Sequence, residues 1–172
     1  MKRIFLILFV LIFFPSHLFG KSPFDHKKNH DPVLPQIKIK VLPSKSVILP
    51  GEEFIFYISI VLEEGWHIYS LSPFLGNKML ETKVFMNENV FQAQGVWKEP
   101  KPVLIRDGAV GKIVKGHKGI VEFSRTYLVP TNLDNNKYFL KGKLVVRTCN
   151  NKVCRLPQEL PFRSVIQVKK HL

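Results

Sequence analysis

Polar and apolar residues alternate along several short segments of this chain, beginning at residue 36. Segment 36–42 reads QIKIKVL and segment 53–62 reads EFIFYISIVL. A period of two is typical of a β-strand that turns one face to a core. Further segments of this kind, each bounded by Gly, Pro, Asn or Asp, are 66–69, 81–86, 90–97, 119–129, 138–148 and 162–168. No segment has a convincing helical period.

Seven or eight short strands separated by turn signals predict an all-β fold, an antiparallel β-sandwich of immunoglobulin-like type. The stretch between Trp97 and Gly119 is the exception, because it has only weak strand character at 103–105. We therefore expect a long loop there. Long loops on rigid β scaffolds are often functional, and the alternative is an ordinary connection.

The N-terminal segment predicts export. A basic start, Met1-Lys2-Arg3, precedes the apolar run Ile4 to Phe14 and then Pro15. This pattern is typical of a signal peptide over residues 1–20, since the run is too short to span a membrane. A retained anchor is the alternative. Residues 21–35 then form a polar, flexible leader and 36–168 one domain, so we expect a periplasmic or secreted protein without a membrane span after cleavage.

The chain is strongly basic, with a formal net charge of +13. An exported protein meets anionic lipid, cell-wall polymer or acidic partner proteins before it meets nucleic acid. The basic residues are spread along the strands with no aromatic stacking motif between them. We therefore expect no nucleic-acid partner, and we interpret the charges mainly as solvated strand faces, with a surface or partner contact as the alternative.

Candidate chemistry lies at the only two cysteines, Cys149 and Cys154, in a C-x4-C spacing. Asn tolerates left-handed backbone angles, so Asn150-Asn151-Lys152 is a plausible turn. The turn places the two cysteines opposite each other across a hairpin, close enough for a disulfide in an oxidising compartment.

Three roles for this pair stay open on the residues alone. A ring this small stabilises a fold of this size only modestly and is readily reduced, which favours thiol–disulfide exchange. Arg147, Lys152 and Arg155 favour the reactive thiolate. The alternatives are a structural hairpin disulfide in a non-catalytic immunoglobulin-like binding module, and copper or zinc capture by the two cysteines with His67.

Three motifs together resemble a known family. They are Gly65-Trp66-His67-Ile68-Tyr69-Ser70, then Gly95-Val96-Trp97, then the Cys149 to Cys154 segment followed by Pro157. In this order they resemble the N-terminal periplasmic domain of DsbD-type thiol:disulfide interchange proteins, over nearly all of 36–168.

The resemblance implies a domain that relays reducing equivalents, a protein-disulfide reductase type of activity. The donor would be a thioredoxin-like domain, and the acceptors periplasmic oxidoreductases or cytochrome c maturation factors, with no metal or organic cofactor. Cys154 matches the cysteine that forms the mixed disulfide, and Cys149 the one that resolves it. Tyr69 and His67 match positions near the cysteines, and 98–118 matches a cap over the pair.

The chain also departs from the family. Segment 98–118 has no Phe, Tyr or Trp, so a residue of 103–105 (Val, Leu, Ile) would have to cover the disulfide. The acid that assists proton transfer would be Glu99 or Asp107. Only one of two prolines follows Cys154. Because the chain ends at Leu172, we expect its reductant to be a separate polypeptide.

Overall fold

A computed structural model describes residues 37–74 and 78–170, all of which fall in the second of two compact units, Pro35–Leu172. The predicted signal peptide and leader, residues 1–35, lie outside the described residues and stay predictions. No helix in the described ranges is long and apolar enough to cross a membrane.

Strands dominate the described chain, with a single 3-10 turn at Lys78–Leu80. The strands are β1 Lys38–Pro43, β2 Val47–Ile48, β3 Glu53–Val61, β4 His67–Tyr69, β5 Lys83–Met86, β6 Gln92–Lys98, β7 Val103–Asp107, β8 Lys112–Lys118, β9 Ile120–Leu128, β10 Asn136–Val146, β11 Thr148–Cys149 and β12 Gln158–Val168.

They form three sheets, in the orders β1-β3-β9-β6, β2-β12-β10-β5 and β11-β4-β8-β7. All pairings are antiparallel except that of β2 with β12. The first two sheets pack face to face, as Phe56 of β3 against Phe162 of β12 shows, with ring centroids 6.0 Å apart. The predicted immunoglobulin-like β-sandwich is confirmed.

The core follows the alternation of the strands. On β3, Phe54, Phe56, Ile58 and Ile60 are buried, and the residues between them are exposed or half-buried. Burying each such side chain contributes about 1.5–3 kcal/mol, so this face supplies much of the sandwich's stability. β3 lies between β1 and β9 in its sheet.

The third sheet positions the candidate site, because its two faces have different roles. Ile68 of β4 packs into the main core, and His117 of β8, its register partner, contacts Phe123 edge to face. Residues one position away, including Tyr69 of β4, point to the other face. That face carries a second, smaller cluster of Tyr69, Ile105, Val114 and Cys149.

The expectation of a long loop at 98–118 is wrong. This stretch contains the hairpin of β7 and β8, and β8 pairs with β4. The alternation of polar and apolar residues is weak along β8 because Gly116 occupies an inward position, where a Cβ would collide with the Ile68 carbonyl. His117, which looks like a loop residue in the sequence, is a buried residue of this hairpin.

Candidate functional site

The two cysteines form a disulfide across a tight hairpin, as the spacing predicts. Cys149 and Cys154 pair as an isolated antiparallel bridge, with their Cα atoms 4.1 Å apart. The amide of Asn150 donates to the Val153 carbonyl at 2.9 Å, and the Arg155 amide donates to the Thr148 carbonyl at 2.9 Å. These bonds hold the two sulfur-bearing residues opposite each other.

The turn itself is made differently from the prediction. No described residue other than glycine has a positive φ, so neither asparagine adopts the left-handed conformation. Instead, Asn150 Oδ1 accepts hydrogen bonds from the amides of Lys152 and Val153, each at 2.9 Å. This side-chain cap replaces the left-handed residue that a tight turn would otherwise need.

The two sulfur-bearing residues differ in accessibility. Cys149 is fully buried, whereas Cys154 is partly exposed. The cause is the register, since Cys149 lies in β11 opposite His67 of β4, inside the sheet. An attacking thiolate therefore reaches Cys154 first.

A hydroxyl group lies against both sulfur atoms. Tyr69 is buried, and its Oη is 2.9 Å from Cys149 Sγ and 3.5 Å from Cys154 Sγ. The same hydroxyl donates to Asp107 Oδ2 at 2.6 Å. His67 Nε2 lies 3.0 Å from that oxygen, so Asp107 links the tyrosine and the histidine.

The Asp107 carboxyl is fully buried, yet its hydrogen bonds favour the charged form. Burial alone would raise its pKa, but hydrogen bonds from Tyr69 and His67 outweigh burial and lower the pKa below the usual value. Its second oxygen, Oδ1, accepts from the amides of Ala109 at 2.9 Å and Val110 at 3.3 Å. Asp107 is therefore a carboxylate at neutral pH.

The protonation states of His67 and Tyr69, the two side chains that bond Asp107, follow from these contacts. Burial lowers the pKa of His67 despite the neighbouring carboxylate, so at neutral pH the imidazole is uncharged and donates through Nε2–H. Burial and the hydrogen bond to Asp107 raise the pKa of Tyr69 well above its usual range. The tyrosine thus remains a protonated donor throughout the physiological range.

The β7–β8 hairpin lies over the cysteine pair. Ile105 and Val114 belong to the buried cluster around Cys149, and Val110 and Cys154 pack against it. A Cβ on Gly108 would collide with the backbone carbonyl of Asn151, so the turn of this hairpin touches the cysteine turn directly. Of the three apolar residues expected to cover the pair, Ile105 does so, while Val103 and Leu104 are exposed.

The two acids named from the sequence lie in different places. Asp107 reaches the sulfurs through Tyr69, whereas Glu99 bonds His117 Nε2 at 2.8 Å and accepts from Ser70 Oγ at 2.6 Å. Burial would raise the pKa of Glu99, but these bonds and one from the Leu71 amide lower it. Glu99 therefore lies with His117, whose ring contacts Phe123 of the main core, and not with Tyr69 and the sulfurs.

The predicted basic neighbours make other contacts. Lys152 is exposed in the turn, and its backbone amide donates to Asn150 Oδ1. The Arg155 guanidinium lies over the Trp66 ring, 5.9 Å from its centroid. Arg147 is near enough to Tyr69 to act on its pKa, which it lowers slightly against the larger effects.

Potential metal ligands also converge here. His67, Asp107 and Cys149 offer ligand atoms that lie within 4.8 Å of one another. In the disulfide, however, Cys149 has no thiolate, which is the form that binds a metal. The oxidised arrangement therefore offers a metal only the imidazole and the carboxylate, and both are hydrogen-bonded to each other.

The sequence contains a signal for Asp107 that the loop expectation obscured. Ile105 and Asp107 are two residues apart, so once β7 is recognised as a strand they must share a face. The packing of Val114 and Leu80 near the cysteines has no such signal, because it depends on how β8 and the 3-10 turn are placed.

Residues 38–164 match the family described as "Thiol:disulfide interchange protein DsbD, N-terminal". No curated protein matches.

Among solved structures, the N-terminal periplasmic domain of ScsB from Proteus mirabilis superposes with a TM-score of 0.55 at 19% identity, over 74% of this chain and 45% of that one. The chain thus spans less than half of that relative's length. BcpA, the major pilin subunit of Bacillus cereus, matches with a TM-score of 0.42 at 11% identity, over 78% of this chain and 40% of that one. The ScsB match agrees with the sandwich described above, and the family match covers the site with both cysteines. The chain therefore belongs to the family of N-terminal domains of the thiol:disulfide interchange protein DsbD.

Proposed function

We propose that this protein is an exported thiol–disulfide exchange domain that acts through Cys149 and Cys154. One observation carries the proposal: a buried tyrosine hydroxyl lies within 3.5 Å of both sulfurs of a disulfide, one of them partly exposed, and is held there by a buried carboxylate. A disulfide that served only as a staple would have no use for this hydroxyl.

Reduction begins at the exposed sulfur. A partner's thiolate attacks Cys154 Sγ, the Cys149–Cys154 bond breaks, and its electron pair goes to Cys149 Sγ. The product is a mixed disulfide between the partner and Cys154. The partner's second thiolate then attacks its own sulfur in that bond, which releases Cys154 as a thiolate and leaves the partner oxidised.

Tyr69 assists the leaving group. Its Oη is 2.9 Å from Cys149 Sγ, so the hydroxyl proton can turn from Asp107 towards the thiolate as negative charge develops. His67 still donates to Asp107, so the carboxylate keeps a partner. Because its pKa is raised, Tyr69 acts as a hydrogen-bond donor and does not lose its proton. Cys149 then takes up the proton that the first partner thiol released to solvent.

The same steps in the reverse order reduce the disulfide of a target protein. The Cys154 thiolate attacks the target's disulfide, and Cys149, which is buried beside it, resolves the mixed disulfide by attacking Cys154 Sγ. The order of the two cysteines is therefore supported by their unequal exposure.

The partners we propose follow from the family. A thioredoxin-like protein supplies the electrons, and periplasmic oxidoreductases or cytochrome c maturation proteins accept them. The signal-like residues 1–20 and the periplasmic domain of ScsB, a structural relative, support a place outside the cytoplasm.

Trapping of mixed disulfides tests the proposal. Cys149→Ala leaves the exposed sulfur without its resolving partner. This variant should therefore accumulate a stable mixed disulfide with a thioredoxin-like protein whose own resolving cysteine is replaced by alanine and whose remaining thiol is activated as a mixed disulfide with thionitrobenzoate. Cys154→Ala is the matched control and should accumulate far less, because its remaining sulfur is buried. Equal trapping by both variants, or by neither, would contradict the ordered mechanism and favour a binding module with a structural disulfide.

A further inference from the structure

The outer face of the β2-β12-β10-β5 sheet has a composition that the exchange function does not explain. Phe85, Phe139 and Val165 are exposed there, although large apolar side chains usually turn inwards on a strand. Phe139 and Val165 are register partners on β10 and β12, so they form one apolar patch. We call this surface the basic–aromatic face.

Cations surround these apolar groups. The Arg163 guanidinium lies 3.9 Å from the Phe139 ring centroid, and Lys141 Nζ lies 5.7 Å from it. Lys143 Nζ lies 5.7 Å from the Phe85 ring centroid. Lys141 and Arg163 are opposite each other in the register of β10 and β12. Each exposed ring therefore has at least one cation over it.

Few acids neutralise this face. Glu159 pairs with Lys143 at 2.7 Å, and Glu81 pairs with Lys83 at 3.7 Å. Among the described residues, no salt bridge involves Lys137, Lys141 or Arg163, which lie on the same outward face. The formal net charge of +13 adds long-range attraction to any anionic surface.

We propose that the basic–aromatic face binds the surface of an anionic lipid bilayer. A sheet face meets a planar surface along its whole length, its lysines and arginines pair with lipid phosphates, and its aromatic and aliphatic side chains enter the interface beneath them. The arrangement suits lipid better than nucleic acid, because the Phe139 ring is covered by Arg163 and is not free to stack on a base. Cys149 belongs to the third sheet and not to the sheet that carries this face.

Sedimentation with vesicles tests the charge requirement. The protein, purified after export, should bind vesicles of 70% phosphatidylcholine and 30% phosphatidylglycerol and should bind pure phosphatidylcholine far more weakly. Each basic residue near an anionic surface contributes about fivefold, so Lys141→Glu with Arg163→Glu should weaken binding by about 25-fold or more. Lys38→Glu with Lys40→Glu makes the same change of charge on β1 of the other sheet and should weaken binding much less.

A second pair of variants tests the aromatic contribution. Phe139 and Phe74 are equally exposed, at 40% and 39%, and each has a lysine over its ring. Phe139→Ser should weaken vesicle binding by about fivefold or more, since a buried phenyl group is lost, whereas Phe74→Ser should not. Reduction of the disulfide by glutathione should proceed at the wild-type rate in all four variants, which confirms folding and separates this proposal from the exchange function.

Three results would overturn the proposal. One is equal loss of binding in the two charge variants, which would show attraction by net charge alone. Another is equal binding to neutral and anionic vesicles. The third is binding of heparin or polyphosphate through this face without binding of vesicles, which would identify an anionic polymer as its partner.

Discussion

Replacing Tyr69 with phenylalanine removes one oxygen atom from the centre of the site. That atom donates to Asp107 at 2.6 Å and contacts Cys149 Sγ at 2.9 Å. A hydrogen bond to a charged group contributes about 1.5–3 kcal/mol, so Tyr69→Phe should lower the free energy of unfolding by about 2 kcal/mol. If the same donor stabilises the leaving Cys149 thiolate, reduction should slow by about tenfold or more.

The assay is the pseudo-first-order rate of disulfide reduction by glutathione at pH 7, with stability measured by urea unfolding. Tyr127→Phe is a matched control, because Tyr127 is buried in the main core, stacked on Phe54, and does not belong to the cluster around Cys149. We expect the disulfide of this control to be reduced at the wild-type rate. If the disulfide of Tyr69→Phe is reduced at a rate within twofold of wild type, the role given to the hydroxyl is refuted, even if the stability of the variant falls.

Three further predictions follow from the same contacts. Glu99→Gln should lower the free energy of unfolding by about 1–3 kcal/mol and leave the rate of disulfide reduction unchanged, whereas Asp107→Asn should slow reduction. Equal reduction rates for the two variants would contradict the assignment of Asp107, and not Glu99, to the site. Gly108→Ala should speed reduction severalfold by pushing the β7–β8 turn off the cysteine hairpin, while Lys112→Ala, a change at an exposed residue of the same hairpin, should not. The pKa of His67 is lower in the folded protein, so the unfolded state binds the proton first and the free energy of unfolding should fall as pH drops below about 6.5. The urea midpoint of His67→Gln should not show this dependence on pH. An unchanged dependence in the variant would show that another group causes it.

The pH window distinguishes the histidine from the acids around it. Asp107 and Glu99 also have lowered pKa values in the folded protein, so the stability they contribute is present at neutral pH. That stability is lost only as pH falls below the usual carboxyl range of about 4 to 4.5. A loss of stability between about pH 6.5 and 5 that His67→Gln abolishes is therefore assigned to His67.

The cysteine hairpin and most strands could be predicted from the sequence because their causes are local. Alternation over 53–62 identifies β3, since a pleated strand turns successive residues to opposite faces. The close spacing of Cys149 and Cys154, with asparagines between them, is enough to predict the hairpin disulfide. Even there, the way the turn is made differs, because Asn150 satisfies the backbone with its side chain instead of a left-handed conformation.

The tertiary structure alone decided which acid lies near the sulfurs. Glu99 and Asp107 are equivalent candidates in the sequence, but they bond to different residues: Asp107 to Tyr69, the last residue of β4, and Glu99 to Ser70, just beyond that strand. This outcome depends on the pairing of β7 with β8 and of β8 with β4, which brings Asp107 to a residue 38 positions earlier. Residue types set the chemistry that the chain could perform, whereas long-range strand pairing, which leaves no local pattern, set the distances at which it can occur.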